Sequence, residues 1–173
     1  QFGLRDKVVN NKNFEIIVPL YSRLMAKGAG ANVKGIFGST NWHWSLQDEG
    51  SKAFVKSFGT KYGFPPSQAA HTVYCQTLLY ADACNRAGTF NPCGVGEALE
   101  GFEFDGLGNG KTLYRADDHQ CFKDVLVVKG KENPTSEFDL LEIVEVTPME
   151  QVQYAPDHPM FAGGDLGACN PGA

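Results

Sequence analysis

From Asp48 to Glu100 the chain reads as three helices in succession with no confident strand between them, and this stretch limits the possible folds most. The first helix, from Asp48, places Phe54, Val55, Phe58 and Tyr62 on one face and stops at Gly63 and "FPPS". The second carries the strongest helix signal. Ser67 caps its start behind two prolines, and Gly88 supplies the stop. Ala70, Val73, Tyr74, Thr77, Leu78 and Ala81 follow the three-four rhythm, while Cys75 and Leu79 carry apolar character onto the flank. This helix is therefore expected to be covered on most sides. A short third helix runs from Val95 to Glu100. Amphipathic helices of this kind need a sheet to cover, and the chain encodes few strands for it.

The strands lie on either side. "NFEIIVP", Asn13 to Pro19, is an apolar run ended by proline, and a short helix in "LYSRLMAKGAG" stops at Gly28 and Gly30. Val33 to Thr40 reads as a second strand, leading into "STNWHWS", which holds both tryptophans, Trp42 and Trp44. After the third helix, "GFEFDGLGNGKTLYRADDHQ" reads as short strands or irregular loop around a Gly-rich turn, and "DVLVVKG" with "FDLLEIVEV" as a hairpin. The remainder is a tail rich in Pro and Gly.

A chain of 173 residues, 42% hydrophobic and 20% charged, is long and apolar enough for a folded core. Its net charge of -5 argues against nucleic acid as a partner, because phosphate neutralisation needs clustered Lys and Arg. No apolar run approaches the roughly 20 residues needed to span a bilayer, and "QFGLRDK" is not a signal peptide.

Five cysteines without a C-x-x-C pair point to an oxidising compartment and one or two disulfides rather than a zinc site. Cys84 ends a helix and Cys93 follows the short loop "NRAGTFNPC", so a turn can join them. Cys169, in the tail, can pin that tail to Cys121. Cys75 is left over and reads as a small buried hydrophobe.

The order of these features resembles the C-terminal half of type I periplasmic solute-binding proteins, the branched-chain amino-acid and amide receptors of ABC transporters. The resemblance is carried by "FVKSFGTKYGFPPSQAAHTVYCQTLLYADACNRAGT", "VGEALEGFEFDGLGNG" and "YRADDHQ" before "DVLVVKG", preceded by "VPLYSRLMAKGAGANVKGIFGST". It covers Phe2 to Val146. It implies an α/β fold that is part of a two-lobe arrangement, with the first lobe's parallel strands missing from this chain. Residues 1–44 would belong to the second lobe, 45–117 to helices on the first lobe and a crossover, 118–146 to return strands of the second lobe, and 147–173 to an irregular tail. The implied partners are a small-molecule ligand, a membrane permease, and a second chain or copy supplying the missing half. No cofactor and no metal are expected.

The candidate ligand contacts follow from this resemblance and from position. Pro19, Leu20 and Tyr21 leave a strand at its carboxyl end, where open α/β sheets bind ligands; Tyr21 can instead pack on its own helix. Trp42 and Trp44 lie at a crossover and either wall the cleft or cover the hinge. His71 occupies the position of a ligand-facing aromatic in the family, and Tyr74 lies one turn on, where it also fits a core stripe. Asp117, Asp118 and His119 read as hydrogen-bonding groups at a crossover, and "GLGNG" as a turn rather than a phosphate loop.

The resulting reading is a receptor of the periplasm, or otherwise extracytoplasmic, that binds an amino acid, an aromatic acid or an amide by closing a hinge. Backbone N–H groups and hydroxyls would hold its carboxylate or amide. Two alternatives stand beside it: a structural or accessory subunit without ligand, and a hydrolase using Cys75 and His71, which are four apart and share a helix face.

Overall fold

The computed structural model describes residues 15–160 and Cys169. The start of the expected first strand, Asn13 and Phe14, and most of the tail lie outside the described residues. The elements are β1 (Ile17–Val18), α1 (Arg23–Ala29), a 3-10 turn (Gly30–Val33), β2 (Phe37–Thr40), α2 (Glu49–Tyr62), α3 (Gln68–Ala87), α4 (Pro92–Leu99), β3 (Glu103–Phe104), β4 (Thr112–Tyr114), β5 (Cys121–Phe122), β6 (Val125–Gly130), β7 (Leu141–Thr147) and α5 (Met149–Val152).

Four strands form one sheet in the order β1-β2-β6-β7. β1 and β2 are parallel; β2, β6 and β7 are antiparallel, and the expected hairpin is the β6–β7 pair. One face packs under α1, where Tyr21, Ala26, Val33, Leu126, Val128, Leu140 and Leu141 make a buried core. The alternation along β6, with Leu126, Val128 and Gly130 buried, is the period-two pattern of a sheet packed on one side. The other face, with Phe37, Ser39 and Val127, forms a shallow open groove beside Ile17. A second sheet, β3-β4-β5, is antiparallel throughout.

Among the described residues no strand interrupts the chain between Thr40 and Glu103. Side chains set the helix starts there. Asp48 accepts from Ser51 N, Ser67 from Ala70 N, and Asn91 from Cys93 N with Pro92 behind it. Gly63 and Gly88 end α2 and α3 in the left-handed conformation. Val33, expected in a strand, sits in the 3-10 turn instead.

The inward face of α3 differs from the predicted stripe. His71, Cys75, Leu79, Ala83 and Cys84 are buried. Val73 is 66% and Leu78 43% exposed, and Tyr74 and Tyr80 are exposed with them. Both sides of this helix are apolar, so spacing alone does not tell which side the rest of the chain covers.

The cysteine pairing is corrected. The disulfide joins Cys93 to Cys169; Cys75, Cys84 and Cys121 are free. Cys84 cannot turn toward Cys93 because it is packed with Ala83 and Val95 between α3 and α4. Cys121 lies in β5 opposite Tyr114.

Candidate functional site

The chain leaves β2 at Thr40 and turns through "NWHWS" toward α2. Trp42 is 1% exposed and donates its indole N–H to Ser51 Oγ at 2.9 Å. Its ring stacks on His71, centroids 4.3 Å apart, and meets the edge of Phe54 at 5.8 Å. The aromatic surface concentrated here is the packing of the segment after β2 against α2 and α3.

His71 is held from two sides. Nε2 lies 2.7 Å from the Leu107 carbonyl oxygen, a contact that requires Nε2 to carry the proton and donate. Burial pushes its pKa down to about 4, Leu107 acting against this and Lys123 with it. The ring is therefore neutral at physiological pH. Cys75 Sγ lies 3.4 Å from Nε2 and 3.7 Å from Nδ1. Burial pushes the Cys75 thiol up. A nucleophilic cysteine needs the opposite, a thiolate favoured by its surroundings. The geometry brings the pair together but leaves the sulfur protonated beside a weakly basic ring.

The "GLGNG" loop closes over this junction as a clasp. Asn109 is buried with φ 59°, a conformation Asn tolerates better than most residues. Its side-chain amide donates to Asn41 O at 2.6 Å and to Asp124 O at 2.8 Å, and its backbone N–H to Asp48 Oδ2 at 3.4 Å. One side chain thus ties the exit from β2 to the entry of β6. Gly108, at φ 99°, fits against Ser51, where a Cβ would come within 2.4 Å of Ser51 Oγ.

Beside the clasp, α3 and the second sheet, with Val125 of β6 and Val152 of α5, border a half-open cavity of about 370 Å³. Asn41, Thr72, Gln76 and Thr112 give it polar groups; Leu79, Phe122 and Val125 give it apolar surface. At its edge Gln68 Nε2 donates to Asn41 Oδ1 at 2.9 Å and to Thr72 Oγ1 at 3.1 Å. Cys75, Cys121 and Lys123 complete the wall. Burial pushes the Cys121 thiol up as well.

Of the residues expected to meet a ligand, His71 lines this cavity and Trp42 lies behind it. Trp44 is half-buried and tilts against His43; among the described residues its buried Nε1 has no hydrogen-bond partner. Pro19 and Leu20 are exposed at the end of β1, and Tyr21 is buried in the core under the sheet. Tyr74 stacks on Phe54 at 4.5 Å and is partly exposed. Asp118 pairs with Arg115, and His119 with Glu100 at 2.8 Å. The sequence reading missed Asn109 and Lys123. The signal for Asn109 was an Asn between two glycines, a candidate for the left-handed conformation. For Lys123 there was none beyond a lone cation beside β6.

A family model described as "Periplasmic binding protein" matches residues 2–135. No curated protein matches significantly. Among solved structures, the chain is similar to an amino acid ABC transporter substrate-binding protein from Pseudomonas fluorescens (20% identity, TM-score 0.71, covering 85% of this chain and 41% of that one). It is similar to a branched chain amino acid ABC transporter periplasmic ligand-binding protein from Burkholderia xenovorans (23% identity, TM-score 0.72, 86% and 40%). A third is a solute binding protein of an ABC transporter from Rhodopseudomonas palustris in complex with 3,4-dihydroxybenzoic acid (14% identity, TM-score 0.70, 86% and 40%). The chain spans about 40% of the length of these proteins.

Proposed function

The chain belongs to the periplasmic binding protein family, and from that premise we propose that it supplies one lobe and the hinge of an extracytoplasmic solute receptor that serves an ABC-transporter permease. The observation that carries this reading is the family match over residues 2–135. The α/β architecture supports it, being that of part of a type I fold. Homologues of this kind are solute-binding proteins rather than enzymes, which agrees with the protonated Cys75. No helix among the described residues is long and apolar enough to cross a membrane.

In this reading the β1-β2-β6-β7 sheet with α1 is the second lobe. Helices α2 to α4 pack on a first lobe, and Val73, Tyr74 and Leu78 are the apolar surface available for it. The ligand sits by the cavity between α3 and β5, next to Asn41 and Thr72, and closure of the lobes buries it. A mixed polar and apolar wall around about 370 Å³ suits a small solute with a compact apolar body. Amino acids and aromatic acids meet that description.

A thermal-shift panel of leucine, isoleucine, valine, 3,4-dihydroxybenzoate and acetamide tests the reading. A ligand that binds the folded chain stabilises it by about 2.7 kcal/mol at 100 times Kd. A saturable rise in Tm with at least one compound is expected; no rise across the panel contradicts it.

A further inference from the structure

We infer that the cavity between α3 and β5 selects an anion, a small apolar carboxylate, and that Lys123 is the residue that selects it. This deepens the proposed function and rests on it.

Lys123 comes from the two-residue link between β5 and β6, and its stem helps to wall the cavity. Among the described residues its ammonium has one hydrogen-bond partner, the Gly108 carbonyl oxygen at 2.8 Å, and no ion pair. An ammonium has three donors. Burial pushes the Lys123 pKa down, and the fields of two carboxylates, Asp48 and Asp124, act against this without pairing with it. Asp48 accepts from Ser51 N at 2.8 Å and Asn109 N at 3.4 Å, and Asp124 from Met149 N at 3.0 Å.

The other titratable groups on the wall are neutral. Burial keeps His71 unprotonated and the Cys75 and Cys121 thiols protonated. No Asp or Glu lines the cavity among the described residues. Lys123 is thus the single charged residue on the wall of a half-open cavity, partly buried and without an ion pair among the described residues. An anion in the cavity gives it a direct ion pair and occupies its free donors. The remaining wall says what kind: Leu79, Phe122 and Val125 suit an apolar body, and Thr72 and Gln76 can hydrogen-bond a polar edge. Gln76 already accepts from Tyr114 OH at 2.7 Å, so its amide N–H groups are the side it can offer.

The test compares two probes of nearly one shape, benzoate and benzamide, by titration calorimetry on the intact chain and on Lys123→Met, which keeps the aliphatic stem. The expected result is at least tenfold tighter binding of benzoate by the unsubstituted chain, with the preference lost in Lys123→Met. Equal binding of the two probes overturns the inference and leaves the receptor reading standing, and so does a benzoate preference that survives in Lys123→Met. Displacement of benzoate by an equimolar amount of inorganic phosphate overturns the carboxylate assignment. Binding of neither probe, together with a blank thermal-shift panel, overturns both readings. Where Lys123→Met does not fold, the benzoate-to-benzamide ratio of the unsubstituted chain decides.

Discussion

Trp42 and His71 lie ring on ring, planes 5° from parallel, and the Trp42 indole N–H reaches across to Ser51. One side chain from the segment after β2 thereby joins the first turn of α2 to the first turn of α3. The junction is buried, which is why its histidine is neutral, and the cavity opens beside it.

Removing the indole should therefore loosen two helices at once. Trp42→Ala is expected to cost about 3–5 kcal/mol, the range for deleting a large buried aromatic side chain. Trp42→Phe keeps a stacking face and loses the bond to Ser51, so a smaller loss is expected. Urea unfolding followed by circular dichroism checks both.

Acid should destabilise the chain before its carboxylates titrate. His43 and His71 are each pushed by burial from 6.5 down to about 4. Between those values the unfolded chain binds more protons than the folded one, so unfolding takes up protons. The stability these groups contribute is fully present above pH 6.5 and is lost as the pH falls toward 4. The slope is up to about 1.4 kcal/mol per pH unit for each histidine. Urea midpoints at pH 7, 6 and 5 should fall in order, and His71→Gln should flatten the fall. Midpoints that stay level from pH 7 to 5 contradict the burial of these rings.

Asn109 is expected to tolerate no ordinary replacement. Asn109→Ala leaves the Asn41 and Asp124 carbonyls without their partner, at about 1–3 kcal/mol for each buried group, and places Ala at positive φ. Asn109→Gly removes the same bonds without the backbone penalty, so it should be more stable than Asn109→Ala by about 1–2 kcal/mol. Chemical denaturation of the two variants separates clasp from backbone.

Peptide mapping without reduction should recover Cys93 joined to Cys169 and no peptide joining Cys84 or Cys121 to another cysteine. The bond spans 76 positions, and reduction is expected to cost about 4 kcal/mol by loop-closure entropy. Under native conditions iodoacetamide should label Cys121, exposed as a residue though its thiol is partly covered, before buried Cys75 and Cys84. Slow labelling of Cys75 also tells against the hydrolase reading.

Local chemistry was readable from the sequence; long-range geometry was not. Ser67, Asp48 and Gly88 marked helix ends because caps and stops depend on neighbours within a turn. The β6–β7 hairpin was readable from two apolar runs close together in sequence. The inward side of α3 was not, because Val73 and Leu78 are as apolar as Cys75 and Leu79. The placement of Trp42, α4 and the second sheet decides between those faces. The disulfide depends on where the tail returns, which no spacing encodes. Lys123 looks like any surface cation until the fold places it against Gly108 and a cavity wall.

The account stands most directly on where a solute binds. An amide-resolved NMR titration of the chain with benzoate is the measurement. Saturable shifts clustered at Thr72 to Gln76, Thr112 and Cys121 to Val125 are predicted. A titration with no saturable shift, or one confined to α4 and β7, contradicts it.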